Sequence, residues 1–134
     1  MPHILIVDDS DALRKVLRDY FTSLGYTCSE AASAKEATAQ VEKGVHPTAA
    51  VVDLILPEDS GLVVLDYLRG LNVPCVVFTA LSTEICQDAL PKDTPVLAKP
   101  AHPDVLVSAL RSVSTSASKR RKSASLIEPS ADTT

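Results

Sequence analysis

Apolar residues follow two rhythms along this chain. Runs of strand length recur at Ile4–Val7, Ala49–Leu54, Val73–Thr79 and Val96–Ala98, with a weaker one near Tyr26–Ala31. Segments of helical period lie between them. Asp11–Leu24 carries Leu13, Val16, Leu17, Tyr20, Phe21 and Leu24 at helical spacing, with Ser10 as N-cap and Gly25 as the stop. Ser33–Lys43 repeats the design: Ser33 caps, Glu36 completes a capping box and Gly44 ends the helix. Gly61–Arg69 presents Leu62, Val63, Leu65 and Leu68 before Gly70 stops it. A shorter helix around Ser82–Leu90 ends before Pro91, and a last one runs from Pro103, well suited to a first helical position, to about Val113.

Five alternations of strand and helix predict a doubly wound α/β fold, a five-stranded parallel sheet with five helices on its two faces. In such folds ligands bind outside the carboxyl ends of the strands, near the switch in strand order. Residues 1–113 form the predicted domain. Beyond them, residues 114–134 are Ser-rich and basic without a periodic apolar face, and disorder is expected there.

Composition agrees with this picture. The apolar fraction is 46% with no Trp, two Phe and three Tyr, so the core must be built from Val, Leu, Ile and Ala, as a buried parallel sheet requires. Cys28, Cys75 and Cys86 are odd in number and form no Cys-x-x-Cys pair, which argues against a disulfide framework and a cysteine zinc site. They read as small buried hydrophobes in a reducing cytoplasm. No apolar stretch approaches the roughly 18 residues of a membrane span, and the first residues lack a basic n-region and a long h-region. A soluble, cytoplasmic protein is expected. The net charge of −4 conceals a split, with 9 Lys/Arg against 15 Asp/Glu in residues 1–112 and 4 against 2 in residues 113–134. So acidic a body makes direct DNA binding an unexpected role.

The candidate chemistry lies at the strand ends. Asp8 and Asp9 follow the first apolar run and Asp53 follows Ala49–Val52, so the fold gathers three mutually repelling carboxylates at one edge. A cation must resolve that repulsion, and Mg²⁺ suits hard oxygen ligands of this kind. Thr79, Ala80 and Lys99 follow later strands to the same edge. Taken singly, each has a plainer reading: a strand-terminal Asp caps a turn, acids before a helix favour its dipole, Thr fills a strand and Lys is solvated. Their joint position favours a site.

In this arrangement the sequence resembles the receiver domain of two-component response regulators, with the fold of the single-domain chemotaxis regulator. The resemblance spans residues 3 to about 113. It is carried by Asp8-Asp9, by Asp53-Leu-Ile-Leu-Pro57 with Gly61 eight residues after Asp53, by Thr79-Ala80 and by Lys99-Pro100. It implies a flavodoxin-like strand order 2-1-3-4-5, with Asp53 as phosphoacceptor. Asp8, Asp9, Asp53 and the backbone carbonyl of Ile55 would hold Mg²⁺. Thr79, Ala80 and Lys99 would receive the phosphoryl group, and the Lys99-Pro100 peptide would be cis. A sensor histidine kinase or phosphotransfer protein would donate the group. A downstream protein target would read it on the face of the fourth helix, fifth strand and fifth helix. The chain would then take part in its own phosphorylation and dephosphorylation without being an enzyme acting on a foreign substrate.

Three departures qualify the resemblance. Val96 occupies the place, three residues before Lys99, where the family commonly has an aromatic switch residue. Leu56 replaces a frequent Met, a volume-conserving exchange. Ile55 and Leu81 are apolar at positions that in the family flank the attacking water's approach, so the resemblance implies a long-lived aspartyl phosphate. Val96 also favours a competing function, a phosphorylation-independent receiver-like interaction module. An Asp-x-Asp phosphatase is excluded by Ile at position 55. The Lys119–Lys122 run admits an anionic partner, although four charges in a polar tail more often simply solvate it.

Overall fold

Parallel strands buried on both faces dominate the molecule. The computed structural model describes residues 2–91 and 93–113. In chain order the elements are β1 (His3–Val7), α1 (Asp11–Ser23), β2 (Thr27–Ala31), α2 (Ala34–Glu42), β3 (Ala49–Val52), β4 (Ile55–Leu56), β5 (Asp59–Ser60), α3 (Gly61–Gly70), β6 (Cys75–Thr79), α4 (Thr83–Ala89) and β7 (Val96–Ala98). A fifth helix, α5, covers residues 103–113. The main sheet has the order β2-β1-β3-β6-β7, all parallel, which is 2-1-3-4-5 when only its own strands are counted. The expected fold is therefore the observed one. The tail expected to be disordered, including Lys119–Lys122, lies outside the described residues.

Strand periodicity divides the core in two. Leu5, Val7, Ala50, Val52 and Val77 face one side, where Ala34 and Ala37 of α2, Val64, Leu65 and Leu68 of α3, and Cys86 of α4 cover them. Ile4, Ile6, Ala49, Val51, Val76 and Phe78 face the other, beneath Leu17 and Phe21 of α1 and Leu106 and Leu110 of α5. A one-residue slip of β1 would exchange the two sets, so burial fixes the register.

Local chemistry sets the helix ends. Ser10 Oγ accepts from the Leu13 N–H at 3.2 Å and Ser33 Oγ from the Glu36 N–H at 3.1 Å. Glu36 reaches back to the Ala32 N–H, one residue before the cap. Gly25 and Gly44 take φ of 96° and 114° beyond α1 and α2, as stop residues do.

The structure corrects several expectations. Gly70 does not stop α3 but is its last residue, and the left-handed position falls at Asn72, with φ 62°. Asn tolerates that region, so the glycine was not needed there. In α3 the buried side chains are Val64, Leu65 and Leu68, while Leu62 and Val63 face out. At 100° per residue those two lie well round the helix from the stripe. Val16 is exposed for the same reason, being about 100° from Leu17, and Leu24 is exposed at the C-cap. The run at 49 ends at Val52, and a two-stranded antiparallel hairpin, β4–β5, follows that the sequence pattern did not reveal. Among the described residues no helix is long and apolar enough to cross a membrane.

Candidate functional site

The carboxyl ends of β1, β3, β6 and β7 bring Asp8, Asp9, Asp53, Thr79, Ala80 and Lys99 to one edge, while Val96 stands at the start of β7 and is not among them. Asp8 leaves β1 with its N–H on the Ala31 carbonyl at 3.0 Å, and the Asp53 N–H bonds the Val7 carbonyl at 2.9 Å. The sheet ladder thus reaches into the site and fixes both backbones. Asp8 and Asp53 are buried, Asp9 is exposed, and one carboxylate oxygen of each lies within 4.8 Å of the others.

Each buried carboxylate is held at both oxygens. Oδ1 of Asp8 accepts from the Ser10 N–H at 2.9 Å and Oδ1 of Asp53 from the Ile55 N–H at 3.1 Å. Their second oxygens share one cation, the Lys99 ammonium, 2.6 Å from Asp8 Oδ2 and 2.9 Å from Asp53 Oδ2. Burial pulls the Lys99 pKa down, but the hydrogen bonds and charges of Asp8 and Asp53 more than reverse this and raise it above the ordinary value. Lys99 is therefore a fixed positive charge. Its ammonium also stands 5.7 Å from the ring centroid of Phe78, in cation–π range.

Thr79 ends β6 with no exposed surface, its Oγ1 3.4 Å from the Leu81 N–H. Its carbonyl accepts from the Lys99 N–H at 2.9 Å, locking β7 to β6 where the chain enters the site. Ala80 is exposed just beyond. The Lys99-Pro100 bond is cis. Val96 is part-buried against the core on the α2–α3–α4 side. Ile55 begins β4 with its side chain 51% exposed beside Asp53.

Gly61 is required by close approach. A Cβ there would stand 2.1 Å from the Asp53 carbonyl oxygen and 2.7 Å from Leu54 Cα. With hydrogen in that place, the Gly61 N–H reaches the Leu54 carbonyl at 2.9 Å and returns the hairpin onto the Asp53 loop. Arg14 and Phe78, which support Asp8 and Lys99 respectively, were not singled out from the sequence: nothing in a linear pattern says which helix face an arginine serves, and Phe78 reads only as core.

Comparison with known proteins decides the family. The model of the response regulator receiver domain matches residues 4–111. The chain belongs to that family. A curated relative, "Probable transcriptional regulator ycf27" of Porphyridium aerugineum, is 36% identical over 80 residues, 59% of this chain and 33% of that protein. The chain spans about a third of the length of such relatives. Among solved structures, a CheY-like receiver domain protein of Methanospirillum hungatei superposes with a TM-score of 0.78 at 23% identity, covering 90% of this chain and 98% of that one. The response regulator TrrA of Thermotoga maritima, solved in complex with Mg(2+)-BeF, superposes at 0.71 with 24% identity over 84% and 99% of the two chains.

Receiver domains bind Mg²⁺ at an acidic pocket and interact with histidine kinases or phosphotransfer proteins. This chain presents such a pocket. Its donor set of three converging carboxylates, two of them buried, fits a small hard cation.

Proposed function

We propose that this receiver domain is a phospho-switch whose phosphoacceptor is Asp53, charged by a sensor histidine kinase or phosphotransfer protein and read by a downstream protein. The observation that carries the reading is the bridge from Lys99 to both Asp8 and Asp53. It holds a nucleophilic carboxylate, buried but not neutralised by a partner of its own, beside a cation that can follow the charge to a phosphoryl oxygen.

The chemistry asks for little beyond placement. A carboxylate oxygen of Asp53 forms the new bond to phosphorus as the phosphorus–nitrogen bond of a phosphohistidine breaks. The departing electron pair goes to the imidazole nitrogen. Such transfers depend on positioning and charge stabilisation. The Ile55 N–H orients Asp53, while Lys99 turns from the lost carboxylate charge toward the phosphoryl oxygens. Asp8, Asp9, Asp53 and the Ile55 carbonyl would hold Mg²⁺, which would supply neutralisation of developing negative charge. The Thr79 hydroxyl can leave the Leu81 N–H for a phosphoryl oxygen, and a group of charge about −2 gives it reason to. The domain takes part in its own phosphorylation and dephosphorylation and turns over no foreign substrate.

Val96 favours a second reading, an interaction module indifferent to phosphorylation, because no aromatic ring stands there to follow Thr79. The test is mass spectrometry after incubation with acetyl phosphate and Mg²⁺. A gain of one phosphoryl group in the wild type and none in Asp53→Asn is expected. No gain in either, with partner binding unaffected by Asp53→Asn, would favour the second reading.

A further inference from the structure

The Asp8–Asp9 peptide is held from outside the acidic cluster. Arg14, on the first turns of α1, donates from Nη1 to the Asp8 carbonyl oxygen and from Nη2 to Asp11. Its Nε lies 3.3 Å from Oε1 of Glu30, on β2. The Arg14 side chain is only 12% exposed. Glu30 is itself anchored twice more: its Oε2 accepts from Arg18 at 2.7 Å and its carbonyl from Gln40 Nε2, on α2, at 2.6 Å. A rigid tripod thus runs from β2 and α1 to one carbonyl oxygen in the loop after β1.

That oxygen belongs to the peptide linking Asp8 to Asp9. The Asp9 carboxylate has no hydrogen-bond partner among the described residues, so no side-chain contact aims it and the backbone sets only where its Cβ points. Holding the preceding peptide plane restricts that direction. We propose that Arg14 is a positioning residue for the cation site: through the Asp8 carbonyl, and braced by Glu30, it holds the Asp8–Asp9 peptide so that both carboxylates converge with Asp53. This rests on the reading of Asp8, Asp9 and Asp53 as a Mg²⁺ site. Partners that orient metal ligands from behind commonly change metal affinity 10–100-fold when removed.

Charge and geometry predict opposite signs here, which makes the proposal testable. An arginine near a cation site repels the metal, so electrostatics alone would make Arg14→Ala bind Mg²⁺ more tightly. Positioning makes it bind more weakly. The experiment is calorimetric titration of the full chain with MgCl₂, paired with thermal unfolding with and without saturating Mg²⁺. For Arg14→Ala we expect affinity about 10-fold weaker and a smaller Mg²⁺-induced rise in Tm. Arg14→Lys keeps the charge but not the planar fork, and should also bind more weakly. It serves as well if the alanine variant does not fold. Affinity in both variants equal to or tighter than wild type, or a fall in Tm identical with and without Mg²⁺, would overturn the proposal. Wild-type protein that takes up no Mg²⁺ would instead overturn the metal reading on which it rests, before any variant is compared.

Discussion

Lys99 reaches Asp53 at 2.9 Å across 46 positions of sequence, and reaches Asp8 with the same ammonium. Two carboxylates with 4% and 6% side-chain exposure depend on one cation. Removing one partner of a fully buried pair costs about 3–5 kcal/mol. Lys99 retains 22% exposure, so Lys99→Met should destabilise by less, about 1–3 kcal/mol. Urea unfolding measures this. Saturating Mg²⁺ should narrow the gap to wild type, because the metal replaces the missing charge in the folded state only. A gap unchanged by Mg²⁺ would contradict a shared site.

Gly61 and Gly70 bound the same helix and should respond in opposite ways. At Gly61 an added methyl meets backbone atoms of Asp53 and Leu54, which cannot rotate aside. Overpacking of this kind costs about 1–3 kcal/mol, and the displaced group is the peptide of Asp53, the proposed phosphoacceptor. Gly61→Ala should therefore lose both stability and Mg²⁺ affinity. At Gly70 a Cβ meets nothing within 4 Å, and the residue is helical. Gly70→Ala should stabilise by up to about 1 kcal/mol and leave Mg²⁺ binding unchanged. Paired thermal melts and titrations check both.

Alkaline pH should weaken the fold through groups far from one another. Burial pushes the Cys75 thiol up to about 12 and, with help from Glu30, the Cys28 thiol up to about 11, from an ordinary 9.0. A raised folded pKa means that the contribution to stability is whole below the unfolded value and is lost as pH climbs toward the folded one. Lys99, also raised, has the same sign and acts above its ordinary 10.5. Denaturation midpoints should thus begin to fall above about pH 9, as thiols of the unfolded chain ionise. Cys75→Val should flatten the early part of that decline. An equal decline in the variant would show that Cys75 does not contribute.

Much of this was legible in the sequence, and the limits have physical causes. The runs at Ile4, Ala49, Val73 and Val96 alternate with helical stretches, and that alternation alone demands a parallel sheet whose strand ends collect Asp8, Asp53, Thr79 and Lys99. Contacts made at right angles to the chain were not legible. The hairpin β4–β5 has only two residues per strand, too few for a period to register. Val16, Leu62 and Val63 are apolar yet exposed, since a periodic pattern does not say which edge of an apolar stripe the sheet will cover. Gly70 looked like a stop because glycine usually is one, but Asn72 took the left-handed turn instead. Arg14 shows the limit most clearly: its roles depend on Glu30, 16 residues on, being the β2 neighbour of Ile6.

If Asp53 is phosphorylated as proposed, two apolar side chains should govern how long the phosphoryl group stays. Ile55 is two residues beyond Asp53 and ties its N–H to the Asp53 carboxylate, so its exposed side chain stands at the rim of the site. Leu81 is placed alike with respect to Thr79, its N–H toward the threonine hydroxyl. By the family resemblance, these two positions flank the approach of the water that would attack an aspartyl phosphate. Neither side chain can donate or accept a hydrogen bond to hold it in line, and orientation is what hydrolysis needs. The phosphoryl group should therefore persist for minutes or longer on wild-type protein labelled with radioactive phosphate. Ile55→Asn and Leu81→Asn each supply a group able to position water and should shorten that lifetime, the double variant more than either alone. Their phosphorylation rate should change less, because both residues meet the site through main-chain N–H groups that the substitutions keep. Wild-type loss within seconds would show that water is oriented by some other group, and the two apolar residues would then need another explanation.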